Sequence, residues 1–287
     1  MKPAPEFLNL PPSFWAHVRA ISETHGYTSR KKATKGKIKV PTVSDMAQAL
    51  SLRGLSHDHV GDIDAAPTEF GDLLHRYFEH RAEVLNGPVR SNLVDRNAAE
   101  RLFKQLKKRL NPSCPLPLNK QKGKKRTYAF FTGIINMLIE DQIGDLPCNY
   151  DPRCLTTVTK EGEPLRTFAR WHDGAFPSTT NPIAVWEIKE YYNTTTFGSR
   201  VADGVYESLL DGMEIAELSR SEGIEIEHYL LVDDRFTWWD CGRSYLCRLV
   251  DMMHMGCVDE VLFGREVVSR LPEIVEGWVN AAIRRGI

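Results

Sequence analysis

Two short stretches decide the fold of this chain, Trp171-His172-Asp173-Gly174-Ala175-Phe176 and Val185-Trp186-Glu187-Ile188-Lys189-Glu190. Because successive side chains of a β-strand point to opposite faces, Glu187 and Lys189 share one face of a strand over residues 183–189. Residues 177–182 are rich in Pro, Ser, Thr and Asn and can fold the chain back, so that Asp173 approaches Glu187. We therefore expect two carboxylates and one amine to converge, a cluster that is costly to desolvate unless a cation joins it.

These residues resemble the PD-(D/E)xK motif of nucleases, which is found in many type II restriction endonucleases. Asp173 matches the acid that precedes the gap, and Glu187-Ile188-Lys189 matches the E-x-K triplet. The chain departs from the family name at one position, where His172 replaces proline. The resemblance covers about residues 127–232. It implies an α/β (α+β) fold with a restriction-endonuclease-like core, in which helices flank a central mixed sheet.

The resemblance also implies a chemistry, the hydrolysis of phosphodiester bonds with one or two Mg²⁺ ions in each active site. In such a site Asp173 and Glu187 hold the metal through their carboxylates, and the Ile188 carbonyl adds a ligand. Lys189 orients or activates the attacking water and offsets developing charge. Glu140 is a further catalytic candidate, because many family members recruit an acid from the helix before the first strand. A surface glutamate at a helix end explains Glu140 equally well.

The composition is that of a globular protein, with 42% hydrophobic and 26% charged residues among 287. No apolar run approaches the roughly 20 residues that a membrane-spanning helix needs, and no secretory signal is visible at the N-terminus. The six cysteines include no C-x-x-C pair, which favours free thiols in a reducing compartment. We therefore expect a cytoplasmic protein without a membrane partner.

The charge is divided unevenly along the chain, although its net value is only −1. Residues 1–126 carry 23 Lys and Arg against 12 Asp and Glu, whereas residues 127–287 carry 14 against 26. Clustered positive charge favours contact with a polyanion such as double-stranded DNA, but two oppositely charged halves can also simply attract one another. The residues predicted to contact DNA are Arg30, Lys31, Lys32, Lys35, Lys37, Lys122, Lys124, Lys125, Arg126, Thr195 and Arg200.

The change in pattern near residue 126 divides the chain into a basic, mostly helical region over 1–126 and a nuclease core over 127–287. The pattern of the first region predicts helices at 12–25, with Ser13 as the N-cap, and at 41–50, 68–85 and 95–110. The segment 41–50 fits the first helix of a helix-turn-helix, whose second helix would fall near 54–60. An ordinary amphipathic helix explains this segment equally well.

The core region is predicted to alternate between helices and strands. Its predicted helices lie at 128–142, 201–219, 244–255 and 267–283. Its predicted strands lie at 155–160, 165–171, 183–192, 227–232 and 258–263. The sequence of a helix, three strands, a helix and a strand is the order that the PD-(D/E)xK resemblance implies.

The sequence thus predicts a Mg²⁺-dependent, sequence-specific endonuclease of the type II restriction class. Cutting both strands with one site in each chain favours a homodimer. The resemblance also implies a cognate methyltransferase, as a genetic rather than a physical partner. Two alternatives remain open. One is another nuclease of the same fold that acts on modified, phage or damaged DNA, and the other is a non-catalytic DNA-binding protein.

Overall fold

A computed structural model of the chain describes residues 1–29, 32, 35–61, 67–120, 122–123, 126–192 and 198–287. These residues form an α+β fold in which helices flank a mixed β-sheet. Within this part of the chain, no helix is both long and apolar enough to cross a membrane. All six cysteines are free.

The N-terminal helices are α1 (Pro12–His25), α2 (Val43–Ser51) and α3 (Glu69–Val84). The start of α2 is fixed by a capping box, in which the Thr42 hydroxyl accepts from the Asp45 N–H and the Asp45 carboxylate accepts from the Thr42 N–H. The prediction of Ser13 as the N-cap of α1 is wrong, because α1 already begins at Pro12. Proline suits a first helical position, since its φ is preset and it has no N–H to leave unpaired.

Aromatic side chains join these helices. Phe14 and Trp15 of α1 meet Tyr77 of α3 edge to face, with ring centroids 5.7 and 5.1 Å apart.

The second helix of the predicted helix-turn-helix does not form. Residues 54–60 make turns, and Gly54 takes a φ of 69°, in which a right-handed helix cannot continue.

The chain then passes to the core through further helical segments. A π-helical turn (Leu85–Val89) leads from α3 into the short α4 (Arg90–Asn92). Helix α5 (Arg96–Leu110) is N-capped by Asp95, whose carboxylate accepts from the Ala98 N–H.

Strands β1 (Thr157–Lys160) and β2 (Glu163–Thr167) form a separate antiparallel hairpin. The main sheet has the order β3-β4-β5-β6, with strands at Gly174–Phe176, Ala184–Glu190, Glu227–Asp233 and Glu260–Phe263. Strand β3 runs antiparallel to β4, whereas β4, β5 and β6 are parallel. The sheet is therefore mixed, with its one antiparallel pairing at the β3 edge.

One strand of the core was predicted in the wrong place. The predicted strand 165–171 ends at Thr167 and belongs to the hairpin, and the antiparallel edge of the sheet is formed by β3, directly after Asp173. The strand β3 was not predicted because it is short. Its three residues are all buried, so they show no alternation of polar and apolar side chains that could mark a strand.

Helices cover both faces of the main sheet. Helices α6 (Phe130–Ile143), α7 (Ser199–Glu222), α8 (Arg243–His254) and α9 (Glu266–Arg284) follow the order that the sequence predicts. Trp186 of β4 packs in one apolar cluster with α5, α6 and α9, whereas Val185 packs with Ile215 and Leu218 of α7. Because side chains alternate along β4, Glu187 and Lys189 lie on the α7 face.

A buried ion pair ties the N-terminal helices to α8. The Arg81 guanidinium of α3 lies 3.0 Å from the Asp251 carboxylate of α8, and both residues are buried. The Tyr77 hydroxyl donates to the same carboxylate at 2.5 Å, and the Arg81 guanidinium also donates to the Ser22 hydroxyl of α1. Three helices from two regions of the chain therefore meet at one charged contact.

We predict that Asp251→Ala lowers the free energy of unfolding by about 3–5 kcal/mol, because it leaves the Arg81 charge buried without its partner. The control is Arg153→Ala, which removes an exposed pair with Asp151 and should change this free energy by no more than about 0.5 kcal/mol. Urea unfolding of both variants measures the difference. Equal stability of the two would show that this ion pair does not tie the helices together.

Candidate active site

Asp173 and Glu187 are brought together by the pairing of β3 with β4. Gly174 is paired with Trp186, so the residue before Gly174 lies beside the residue after Trp186. The Asp173 N–H donates to the Trp186 carbonyl at 3.1 Å and to Glu187 Oε1 at 3.3 Å. In return, the Ile188 N–H donates to Asp173 Oδ2 at 2.7 Å. The two acidic residues thus lie side by side, which is the arrangement that the strand spacing predicts.

Gly174 makes this close pairing sterically feasible. A Cβ at position 174 would come within 1.9 Å of the Trp186 indole. That indole is held from behind by Trp278 of α9, with ring centroids 5.4 Å apart and planes 11° apart. Since Trp186 cannot retreat, only glycine fits after Asp173. The stacked indoles therefore help to fix the position of the Asp173 backbone.

Lys189 points toward the same carboxylate from two residues further along β4. Its Nζ lies 2.8 Å from Glu187 Oε2 and 3.2 Å from Glu207 Oε2 of α7, and the residue is 7% exposed. The stem of Lys189 passes beside Gly204, where a Cβ would come within 3.2 Å of the Lys189 Cδ. Burial would lower the pKa of Lys189, but the Glu187 charge outweighs it and holds that pKa above its ordinary value. Lys189 is therefore a protonated hydrogen-bond donor.

Arg170 is a part of the site that the sequence analysis missed. It lies between β2 and β3, and its two terminal nitrogens contact the two Glu187 oxygens at 3.0 and 3.1 Å. The same guanidinium reaches Asp211 Oδ2 at 2.5 Å and Glu207 Oε2 at 3.3 Å. Glu207 and Asp211 are one turn apart on α7, a spacing that could have drawn attention to them. No comparable pattern marks Arg170.

Acidic groups outnumber basic groups in this cluster. Its carboxylates belong to Asp173, Glu187, Glu207 and Asp211, and its cations are Arg170 and Lys189. With every group ionised, the cluster has two more negative than positive charges. A divalent cation bound beside these carboxylates would offset that excess.

The carboxyl groups differ in how readily they ionise. Burial would raise the pKa of Glu187, but the Lys189 charge and the Arg170 hydrogen bonds outweigh it and hold that pKa below its ordinary value. Desolvation, followed by the Glu187 charge, raises the pKa of Asp173 to about 6, although part of that residue's surface is exposed. Burial raises the pKa of Asp211 to about 7 against the opposing charge of Arg170. Glu187 is thus the most firmly ionised of the three.

Two histidines lie in the buried surroundings of the cluster. His172 Nδ1 is 2.8 Å from the Thr156 hydroxyl, and the ring is 2% exposed. His228 Nδ1 donates to the Cys257 carbonyl at 2.9 Å. Burial lowers the pKa of both rings, that of His172 to about 4, so both are neutral near pH 7. The position that differs from the family motif therefore holds a buried, uncharged side chain.

The other acidic residues near the motif lie elsewhere. Glu140 accepts from the Ser113 N–H with both carboxylate oxygens at 3.1 Å and also from the Ser113 hydroxyl, so it faces the segment after α5. The structure does not bring Glu140 into contact with Asp173. Glu190 accepts from the Thr132 N–H at 3.0 Å at the start of α6, on the opposite face of β4 from Glu187, as the alternation predicts.

The residues predicted to contact DNA are only partly described. Lys32, Lys35, Lys37, Lys122 and Arg126 are exposed. Arg30, Lys31, Lys124, Lys125 and Thr195 lie outside the described residues, and Arg200 falls in the first turn of α7 with an undescribed side chain. Their contact with DNA stays a prediction.

The chemistry of the cluster suits a hard divalent cation. Among the described residues, no group of three or more His, Cys, Asp and Glu side chains is arranged to hold a metal ion. Mg²⁺, however, often takes only one or two carboxylates and keeps several waters. Asp173 and Glu187 are neighbours across β3 and β4, where the Glu187 charge acts on the Asp173 carboxyl group. Asp211 Oδ1 is a buried acceptor with no partner among the described residues. The residues therefore fit Mg²⁺, provided that a bound cation can compete for Glu187.

Two family models match the chain. A domain of unknown function (DUF7690) matches residues 1–88, and a domain of unknown function (DUF7687) matches residues 94–278. Comparison with curated proteins and with solved structures gave no match. The second model spans more than half of the chain and includes every residue of the charged cluster. The chain therefore belongs to the family of the domain of unknown function DUF7687.

Proposed function

We propose that this protein is a Mg²⁺-dependent endonuclease that hydrolyses phosphodiester bonds of double-stranded DNA, with a PD-(D/E)xK restriction-endonuclease-like core. The observation that carries the proposal is the meeting of Asp173, Glu187 and Lys189 at the end of the β3–β4 pair. The order α6, β3, β4, α7 and β5, with the separate β1–β2 hairpin between α6 and β3, further supports the proposal. Sequence-specific cleavage of the type II restriction class is the form of this activity that we favour.

The proposed roles follow from the chemistry of each side chain. Asp173 and Glu187 would hold the metal, which neutralises charge on a phosphate and lowers the pKa of water. Lys189 keeps its proton, so it can donate a hydrogen bond to a phosphate oxygen or to the attacking water but cannot remove a proton from it. The Ile188 carbonyl remains a proposed metal ligand, and Glu140 remains a proposed accessory acid that would act from outside the cluster.

Contact with DNA would use the basic side chains of the N-terminal part of the chain. The exposed residues Lys35 and Lys37 follow α1, and Arg126 precedes α6. Helix α5 adds further exposed basic residues, namely Arg96, Arg101, Lys104, Lys107, Lys108 and Arg109. Such contacts neutralise phosphates and release counterions. A homodimer would supply a second site for the second strand of the duplex.

One observation favours a second function, a non-catalytic DNA-binding protein. Both Glu187 oxygens are already bound by Arg170 and Lys189, an arrangement that an ion cluster of purely structural importance would also have. In that case the basic surface would bind DNA and no bond would be cut. The nuclease needs a divalent metal and Lys189 to act on DNA, whereas the non-catalytic protein would bind DNA without either.

We predict that purified protein cuts plasmid DNA in the presence of Mg²⁺ but not of EDTA, and that Lys189→Met lowers the cleavage rate at least about 100-fold. Methionine preserves most of the side-chain volume but removes the charge that would stabilise the transition state. Gel electrophoresis of time courses measures the rates. Lys160→Met, at an exposed lysine of β1, is the matched control and should cut as the wild type does.

Discrete fragments would indicate sequence-specific cleavage, and a smear would indicate a nuclease without a fixed recognition site. Methylated and unmethylated substrates should be tested in parallel. If no substrate is cut under any metal condition, the endonuclease proposal is wrong and the non-catalytic function is favoured.

We also predict that Lys35→Glu combined with Lys37→Glu weakens DNA binding and flattens its salt dependence. Each lost phosphate contact should reduce the slope of log K against log salt by about 0.9. Fluorescence anisotropy with a labelled duplex in EDTA measures binding without cleavage, and Lys160→Glu controls for the added negative charge. An unchanged slope would place the DNA on another surface.

A further inference from the structure

Arg170 contacts Glu187 in a way that Lys189 does not. Its fork places one nitrogen on each carboxylate oxygen, at 3.0 and 3.1 Å, whereas Lys189 contacts Oε2 alone at 2.8 Å. An ionised carboxylate has about four lone-pair directions, and on Glu187 the Asp173 N–H and the Lys189 ammonium each take one. The Arg170 fork takes up the remaining two. A metal ion that binds Glu187 must therefore displace one of these donors, and Arg170 holds two of the positions.

Arg170 also has a second place to bind, on α7. Asp211 Oδ2 lies 2.5 Å and Glu207 Oε2 lies 3.3 Å from the same guanidinium. Asp211 is fully buried, and its other oxygen has no partner among the described residues. If Arg170 left Glu187, its charge would remain paired with two carboxylates, and Asp211 could accept a further hydrogen bond from it.

Lys189 is less free to move than Arg170. Its side chain is 8% exposed and passes close to Gly204, whereas the Arg170 side chain is 23% exposed and belongs to the segment between two strands. Of the two cations on Glu187, Arg170 is therefore the one that a metal ion can displace at the lower cost.

We propose that Arg170 competes with the divalent cation for Glu187, and that Asp211 and Glu207 receive Arg170 when the cation binds. This inference rests on the proposed metal site and names a device that regulates it. Arg170 acts as a positioning residue. It pairs with Glu187 while the cation is away, and when it leaves Glu187 it keeps its contacts with Asp211 and Glu207 of α7, so its charge is not left unpaired.

The key test is Arg170→Lys, because it keeps the charge but loses the two-pronged contact. If the cation is held only by attraction to the net charge of the site, the Mn²⁺ affinity of Arg170→Lys should equal that of the wild type. Competition for the Glu187 oxygens predicts that Mn²⁺ binds to it about 5- to 10-fold more tightly than to the wild type, and more tightly still to Arg170→Gln. Electron paramagnetic resonance of free Mn²⁺, with the full chain and without DNA, gives the affinities.

Arg166→Gln is the control for net charge. Arg166 pairs with Glu217 at 2.6 Å and has no contact with Glu187, so its loss should change Mn²⁺ affinity less than about twofold by the competition account. Asp211→Asn should bind Mn²⁺ more weakly than the wild type, and this loss should shrink when it is combined with Arg170→Gln. Circular dichroism checks that each variant is folded, and opposite changes in affinity cannot both come from unfolding.

The inference is overturned if Arg170→Lys binds Mn²⁺ no more tightly than the wild type, if Arg166→Gln matches Arg170→Gln, or if the wild type and Arg170 variants bind no Mn²⁺. These outcomes are separate from the test of cleavage. Tighter Mn²⁺ binding by Arg170→Lys with no DNA cut by any variant would support the competition and reject the nuclease. Cleavage with unchanged Mn²⁺ affinities would support the nuclease and reject the competition.

Discussion

The burial of the Glu187 carboxylate is the constraint on which the rest of the site depends. A carboxylate removed from water must be paired with positive charge or with hydrogen-bond donors. Lys189 supplies one partner from the same strand, and Arg170 supplies another from the segment before β3. The close approach of these partners requires Gly174 beneath the Trp186 indole, and Gly204 leaves room beside the Lys189 stem. The β3 edge and helix α7 thus both contribute to the surroundings of the buried Glu187 carboxylate.

The excess negative charge of the cluster lies on its exposed side. The buried carboxylates of Glu187 and Asp211 are matched in number by Arg170 and Lys189, as a cluster of purely structural importance would also require. The two further carboxylates belong to Asp173, which is exposed, and to Glu207, whose side chain is 44% exposed. A divalent cation that approached from this side would stabilise the ionised form of Asp173. The N-terminal helices are joined to α8 through Arg81 and Asp251, so the exposed basic side chains that we propose for DNA contact would be held on the same body as the cluster.

The features that the sequence predicts well depend on local periodicity. Strand alternation is sufficient to place Glu187 and Lys189 on one face of β4 and Glu190 on the other, and most helices lie close to their predicted ranges. What was missed depends on contacts between distant residues. Arg170 has no distinguishing pattern in its own segment, and its role appears only when α7 presents Asp211 to it. The strand β3 was missed because three buried residues carry no periodic signal. The start of α1 was misplaced because it begins at Pro12 with no side-chain cap to mark it. The division of the chain at residue 126 and the functional roles of the site residues stay predictions.

The measurement that tests the central claim most directly is anomalous X-ray diffraction at the manganese edge from crystals soaked in MnCl₂. The account predicts a peak within about 2.0–2.3 Å of oxygens from both Asp173 and Glu187. It also predicts that the Arg170 guanidinium has left Glu187 while it still contacts Asp211. A peak elsewhere, or no peak at Mn²⁺ concentrations that support DNA cleavage, would contradict the assignment of this cluster as the metal centre.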